Sequence, residues 1–261
     1  MKIACVGDNC IDFYDALGEK YPGGNPVNVA VYVCRLGGES SYVGAVGTDE
    51  NGRFLLDAVK KRGVDVSRVQ QLPGATALSH VSHQNGDRVF GEYEEGVMAD
   101  FLLREEDIDF ICAHDLVVTG LWGHIEGRLA EIQARGVPVA FDGAEKILGP
   151  IGLAALPHVD IAFFSDDRLS DEALREKMLR IAGLGPRLVV ATRGGKGSLA
   201  CDGKDFYSYG IVPGQMVDTM GAGDSYIAGF LIAWLQKRDI PTCMRAGAEN
   251  AAQTIGYAGA W

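Results

Sequence analysis

From residue 105 onward, helix-like and strand-like segments alternate at short intervals, and that order constrains the fold more than any other feature of the sequence. Apolar periodicity predicts helices at about 105–112, 125–135, 147–156 and 170–183, each followed by a strand, at 115–120, 137–141, 159–164 and 187–192. The strands are short and apolar, as in Leu188-Val189-Val190-Ala191. Such runs suit a mostly parallel sheet covered by helices on both faces, an α/β class. Upstream, strands at 2–7 and 41–47 and a helix over 52–62 fit the same pattern, with Phe54, Leu55, Ala58 and Val59 inward. Another helix opens at Asn25-Pro26, with Asn25 as N-cap, Pro26 as first helical residue, and Val27, Ala30, Val31 and Cys34 on its apolar face.

Two segments break the alternation. Strand-like runs at 75–84 and 88–93 flank Asn85-Gly86-Asp87, a strong hairpin signal. A short stretch follows Asp12. Together these predict a small sheet laid over the strand ends, where ligands bind in open α/β sheets. A second hairpin, 197–201 with 205–210 around Asp202-Gly203-Lys204, precedes closing helices at about 222–237 and 241–257.

Charge and composition remove several classes of function. The chain has 35 acidic and 24 basic side chains and a net charge of −11, which disfavours nucleic acid and anionic membranes as partners. Small anions gripped by backbone N–H groups remain possible ligands. No apolar run nears the roughly 20 residues that cross a bilayer. The opening strand breaks at Gly7-Asp8-Asn9, unlike a signal peptide. The 6 cysteines are scattered without a CxxC pair, so reduced thiols and a cytoplasmic location are expected. His80 and His83 fall on opposite faces of a predicted strand, which argues against a zinc site.

The segment richest in chemistry is Asp218-Thr219-Met220-Gly221-Ala222-Gly223-Asp224-Ser225, followed directly by an apolar helix. Small residues there leave N–H groups uncovered at a helix N-terminus, where phosphoryl oxygens are attracted. A carboxylate in that first turn would repel such an anion. It makes sense as a base that takes a proton from a hydroxyl attacking phosphorus. The plainer alternative is that the glycines only ease a turn and Asp224 only caps the helix.

Tyr21-Pro22-Gly23-Gly24-Asn25-Pro26-Val27-Asn28-Val29-Ala30, Val46-Gly47-Thr48-Asp49-Glu50-Asn51-Gly52 and the Asp218–Asp224 segment occur in this order. With Thr192-Arg193-Gly194-Gly195-Lys196-Gly197 they resemble the PfkB, or ribokinase-like, family of sugar and nucleoside kinases along the whole chain. The resemblance implies one kinase domain over 1–261: a three-layer α/β/α unit with a small β lid from segments at about 12–22 and 75–100. Gly7-Asp8-Asn9-Cys10-Ile11-Asp12, the 86–93 and 95–101 runs, Trp122-Gly123-His124 and Gly259-Ala260-Trp261 are similar to a narrower subgroup. That subgroup phosphorylates the 6-hydroxyl of fructose joined to the side-chain nitrogen of lysine.

By the family pattern Asp224 is the general base, and the amides of Gly221, Ala222 and Gly223 form an anion hole. Asp12, Gly24 and Asn28 match sugar-holding positions, although Asn28 would equally serve as a buried amide satisfied by backbone. If 88–93 alternates strictly, Arg88, Phe90 and Glu92 share one face of the lid; Glu92 or Glu94 would then pair with the fructosamine ammonium and Arg88 with the lysyl carboxylate, the alternative being a solvated charged hairpin. Trp122 falls where the family places a sugar contact, and core packing explains it equally well. Ser165, Thr192, Gly194, Gly197 and Asn250 match the nucleotide side. ATP and Mg²⁺ are the implied cofactors, with a monovalent cation compatible. Many relatives carry Asn-x-x-Glu where this chain has Ser165-Asp166-Asp167-Arg168, so the carboxylate serving magnesium is not assigned. The partners implied are a small sugar and ATP, and the short lid favours a homodimer. The competing readings are a fructokinase or nucleoside kinase, and a sugar- or nucleotide-sensing module without catalysis.

Overall fold

A computed structural model of the chain describes residues 1–84 and 87–261, with side chains outside 83–90. Its main sheet contains β1 (Lys2–Val6), β4 (Glu39–Val43), β9 (Leu116–Gly120), β10 (Val139–Asp142), β11 (Ile161–Ser165), β12 (Leu188–Thr192), β13 (Ser198–Cys201) and β14 (Phe206–Tyr209). The order across the sheet is β14-β13-β12-β11-β10-β9-β1-β4, parallel from β12 to β4 and antiparallel at the β13–β14 end. A lid sheet has the order β3-β2-β7-β8, formed by β2 (Cys10–Tyr14), β3 (Glu19–Gly23), β7 (Leu78–Gln84) and β8 (Asp87–Glu94). Between them β5 (Ala45–Gly47) pairs with β6 (Gln70–Leu72).

Each main strand sends alternate residues to opposite faces, and both faces are buried. Val6, Val117, Val139, Phe164 and Val189 pack beneath α3 (Glu105–Ile111), α4 (Leu129–Ala134), α5 (Pro150–Ala155) and α6 (Asp171–Ala182). Their neighbours Cys5, Val118, Ala140, Phe163 and Val190 pack beneath α1 (Asn25–Arg35), α2 (Glu50–Lys61), α7 (Ala222–Leu235) and α8 (Ile240–Thr254). The result is the three-layer α/β/α arrangement. Helix α7 is apolar nearly all round because it lies between the sheet, α1 and α8. Phe230 meets Phe163 edge-on at 5.4 Å, which fixes α7 over β11. Among the described residues no helix is long and apolar enough to cross a membrane.

Strand β1 has β4 on one side and β9 on the other, so the chain reverses its direction of progress across the sheet there. Open α/β sheets bind ligands outside the carboxyl ends of the strands at such a switch. Asp8 after β1, Asp142 ending β10, Ser165 ending β11 and Thr192 ending β12 all stand on that edge.

Several local expectations need correction. Asn25 is not the N-cap of α1: Gly24 is, at φ 105°, and Pro26 follows in the first turn. A side chain at Gly24 would drive its Cβ to 2.5 Å from the Asn9 backbone, so the position requires glycine. The expected strand 41–47 is divided at Gly44 into β4 and β5. Phe54 points outward, 42% exposed. The strand expected from 75 begins at Leu78, because Thr76 is drawn to the N-cap of α2: its N–H and hydroxyl donate to Asp49 at 3.0 and 2.6 Å. That knot roots the lid on α2. The 125–135 helix opens as a tighter 3₁₀ turn over Glu126–Arg128, and the α-helix starts at Leu129.

In the lid, β7 and β8 pair antiparallel as expected, while the turn residues Asn85 and Gly86 lie outside the described residues. Strict alternation through β8 fails, because the register shifts between Ser79 and Val81. Cross-strand pairing puts Tyr21, Asp12, Ser79 and Tyr93 in one row. Tyr14 and Val81, on that same face, pack on Met220 and Ala260, so this is the face turned toward the main domain.

Candidate active site

The expected turn forms at the N-terminus of α7. Gly221 is the N-cap at φ 71°, a left-handed conformation suited to glycine. Asp224 lies in the first helical turn, yet its carboxylate does not cap the helix. One oxygen accepts from the side-chain amide of Asn25 at 2.7 Å and the other from Asn28 at 2.7 Å. The capping alternative is thereby set aside. Among the described residues, no acceptor faces the backbone N–H of Gly221 or Gly223, whereas Ala222 N–H donates to Thr219 O at 3.2 Å. The expected anion hole of three amides therefore has two uncommitted members and one already engaged.

Burial pushes the Asp224 pKa up to about 6, against the pull of the Asn28 and Asn25 donors. It is one of a group of acids. Asn25 also donates to Asp142 at 2.8 Å and offers its backbone N–H to Asp8 at 3.3 Å. Burial, with the Asp224 charge nearby, pushes Asp142 up to about 7 and Asp8 up to about 6. The three carboxylates therefore repel one another as they ionise toward neutral pH, a repulsion that a cation or donor from a ligand would relieve. Asp8 is buried and its Oδ1 has no partner among the described residues.

Beside this group opens a cavity of about 840 Å³ lined by Asp142, Glu145, Ser165, Thr192, Gly194, Gly197, Ala222 and Gly223, with Ala248, Ala251 and Ala252 from α8. Four of the expected nucleotide residues, Ser165, Thr192, Gly194 and Gly197, thus line the same cavity. Asn250 is not among them: it is buried, and its amide donates to Ser225 O at 2.6 Å. The small residues of α8 serve two purposes. The alanines line the cavity, and a side chain at Gly247 would strike Tyr226 of α7 at 2.9 Å.

Asp12 is buried on the inner lid face, and the thiol of Cys10 donates to it at 3.4 Å. Asn28 is no backbone-satisfied core amide, since it joins Asp224 to the indole N–H of Trp261, which donates to its Oδ1 at 2.7 Å. Trp122 is 46% exposed just past β9, which removes core packing as its explanation. Glu92 does not share the inner face. It is exposed and acts with Glu94 on His80, which also bonds Asp15 at 2.7 Å. The side chain from this part of β8 that pairs into the inner row is Tyr93, 42% exposed overall, whose hydroxyl pKa is raised by partial desolvation and then by Asp8 and Cys10. The side chains of Arg88 and Phe90 lie outside those described.

The departure at Ser165–Arg168 also has a structural reading. Asp166 is ion-paired with Lys177 at 2.8 Å and accepts two backbone N–H groups, so it faces away from cation duty. Asp142 and Glu145 are the carboxylates on the cavity wall. Among the described residues, no group of three or more His, Cys, Asp or Glu could hold a metal by itself.

Sequence reasoning missed Asn25, Asp142, Asp8, Tyr93 and Trp261. Asn25 and Asn28 are three apart in a helix and so share a face, and Asp142 ends a parallel strand on the ligand edge; both were detectable signals. Trp261 stands out only within the Gly259-Ala260-Trp261 run, which carries no local sign of its contact with Asn28.

An enzyme that moves a phosphoryl group onto a hydroxyl is the class this fold and turn define. The family model for pfkB family carbohydrate kinases matches residues 2–261. The chain is 44% identical over 259 residues to the fructoselysine 6-kinase of Shigella flexneri, covering 99% of each, and 39% identical to a fructosamine kinase of Bacillus subtilis, covering all of this chain and 93% of that one. Its fold is that of Arabidopsis thaliana ribokinase complexed with ribose and ATP: TM-score 0.89 at 22% identity, covering 99% of this chain and 93% of that one. The chain belongs to the pfkB family of carbohydrate kinases and is an ATP-dependent sugar kinase.

Proposed function

We propose that the enzyme transfers the γ-phosphoryl group of ATP to the 6-hydroxyl of fructoselysine, with Asp224 as general base. The observation that carries the mechanism is the placement of an ionisable carboxylate, held by amide donors on both oxygens, beside uncommitted N–H groups of a helix N-terminus. The sugar oxygen forms its bond to the γ-phosphorus as the bond to the β,γ-bridging oxygen breaks and ADP departs. The hydroxyl proton passes to Asp224 late in this step. Gly221 and Gly223 N–H groups, with the helix dipole, hold the migrating phosphoryl oxygens.

The adenine and phosphates occupy the cavity along Thr192, Gly194, Gly197 and the alanines of α8. The donor set suits magnesium carried in with ATP, a hard cation that keeps most of its waters. Asp142 and Glu145 are the residues that would hold those waters, and the ion would offset phosphate charge. On the sugar side, Asp12, Asn28, Tyr93 and the backbone at Gly24 face the ketose. Asp8 supplies a buried carboxylate that a hydroxyl or the secondary ammonium of a fructosamine would satisfy. The similarity to fructoselysine and fructosamine kinases supports this substrate over plain fructose.

A panel of fructoselysine, fructose, ribose and cytidine with ATP and Mg²⁺ tests the assignment, with the phosphorylated position read by NMR. Fructoselysine should give the highest kcat/KM and a 6-phosphate. Faster turnover of fructose or a nucleoside would replace the substrate while leaving the mechanism in place.

A further inference from the structure

Helix α1 presents Asn25, Asn28 and Tyr32 on one face, and the segment 256–261 is laid along it. Tyr32 donates its hydroxyl to Ala260 O, Gly259 N–H donates to Asp218 Oδ2 at 2.9 Å, and the Trp261 indole donates to Asn28 Oδ1 at 2.7 Å. The indole ring is covered by the Arg62 guanidinium at 5.3 Å. An indole N–H can only donate, so it selects one of the two orientations of a carboxamide. With its oxygen on the indole, Asn28 must turn its NH₂ group to Asp224, where it sits at 2.7 Å. Without that donor the amide could rotate and set an oxygen against the carboxylate.

We propose that Trp261 is a positioning residue for the catalytic carboxylate: its N–H locks the Asn28 amide so that both amides of α1 donate to Asp224. This rests on the reading of Asp224 as the base. The titratable groups facing Asp224 are the acids Asp8 after β1 and Asp142 at the end of β10, and the Cys10 thiol of β2, which burial keeps neutral. Helix α1 presents only amides there, and its Arg35 is engaged by Tyr257. The ionised form of Asp224 therefore depends on the amide donors, and losing one should move the acid limb of kcat to higher pH.

The test is Trp261→Phe, which keeps a ring under Arg62 and removes the donor. Removing the neutral indole–amide bond frees the Asn28 amide to turn and give up its charge-assisted bond to Asp224, which predicts a kcat about tenfold lower, with KM for ATP and melting temperature unchanged. The acid limb should move upward, and in an Asn28→Ala background the Phe substitution should cost nothing more. Should Trp261→Phe melt well below the parent, Arg62→Gln at an exposed position gives the same readout, with a smaller kcat loss and the same direction of limb shift. A folded Trp261→Phe enzyme with parental kcat and acid limb, or a loss that adds in full to that of Asn28→Ala, overturns the proposal. Asp224→Asn separates the two readings: if it retains turnover the base assignment fails, whereas an inactive Asp224→Asn beside an unaffected Trp261→Phe sinks only the role of Trp261.

Discussion

The turn that ends in Asp224 and the lid sheet that packs on it are held in opposite ways. The turn is wired from several directions: α1 donates to both oxygens of Asp224, Asn25 ties it to Asp142, and Gly259 N–H anchors Asp218 behind it. The lid offers one inner row, Tyr21, Asp12, Ser79 and Tyr93, and a wet outer face where His80 meets Asp15, Glu92 and Glu94. On the proposed mechanism, the groups for phosphoryl transfer are in place before the sugar arrives, and the choice of sugar falls to a few side chains over them. Substitutions in the two regions should therefore separate kcat from KM.

The largest effect belongs to the turn. Asp224→Asn should lower kcat by roughly 10²–10⁴, the usual range for loss of a general base, while calorimetry finds ATP and sugar affinities within a few-fold of the parent. Loss of binding to the same degree would make Asp224 a structural residue. Asn25→Ala removes donors to two carboxylates and should cost about 10–100-fold in kcat, measured at saturating sugar. Tyr93→Phe, on the lid, should raise KM for the sugar by about tenfold or less with kcat nearly held, the value of one hydrogen bond. A matching fall in kcat would erase the contrast between the regions. Glu92→Lys should change KM for fructoselysine less than about twofold, since exposed charges couple weakly. A large, fructoselysine-specific rise would return Glu92 to the substrate side.

The smallest effect is on stability. Folding raises the pKa values of Asp8, Asp142 and Asp224 from 3.8 to about 6, 7 and 6. The folded state thus holds protons that the unfolded chain has already released. Their contribution is complete below the unfolded value and is lost as pH rises through about 6–7. The free enzyme should melt at a slightly lower temperature at pH 8 than at pH 6, and Mg²⁺ with ATP should narrow the gap.

What could be read from the sequence follows the same division. The strands and helices after residue 105 are set by local apolar period and short connections, so their order emerges directly. The Asp218–Asp224 turn is legible because its small residues and its carboxylate are contiguous. Asn25 reads as a cap because Asn before Pro is a common helix start, and only the tertiary fold shows its amide reaching Asp142 and Asp224. A period of two places Glu92 inward, and the register shift interrupts that period. Trp261 is 233 residues from Asn28, a contact with no local trace.

The most direct test of the wiring around Asp224 is the pH dependence of kcat/KM for fructoselysine, from pH 5 to 9 with Mg²⁺-ATP present. A single acid limb near about 6 is expected, matching the carboxylate held by Asn25 and Asn28, and Asn25→Ala should move that limb to higher pH. A profile flat through this range, or a limb that Asn25→Ala leaves in place, would contradict the assignment of Asp224 as an amide-held base.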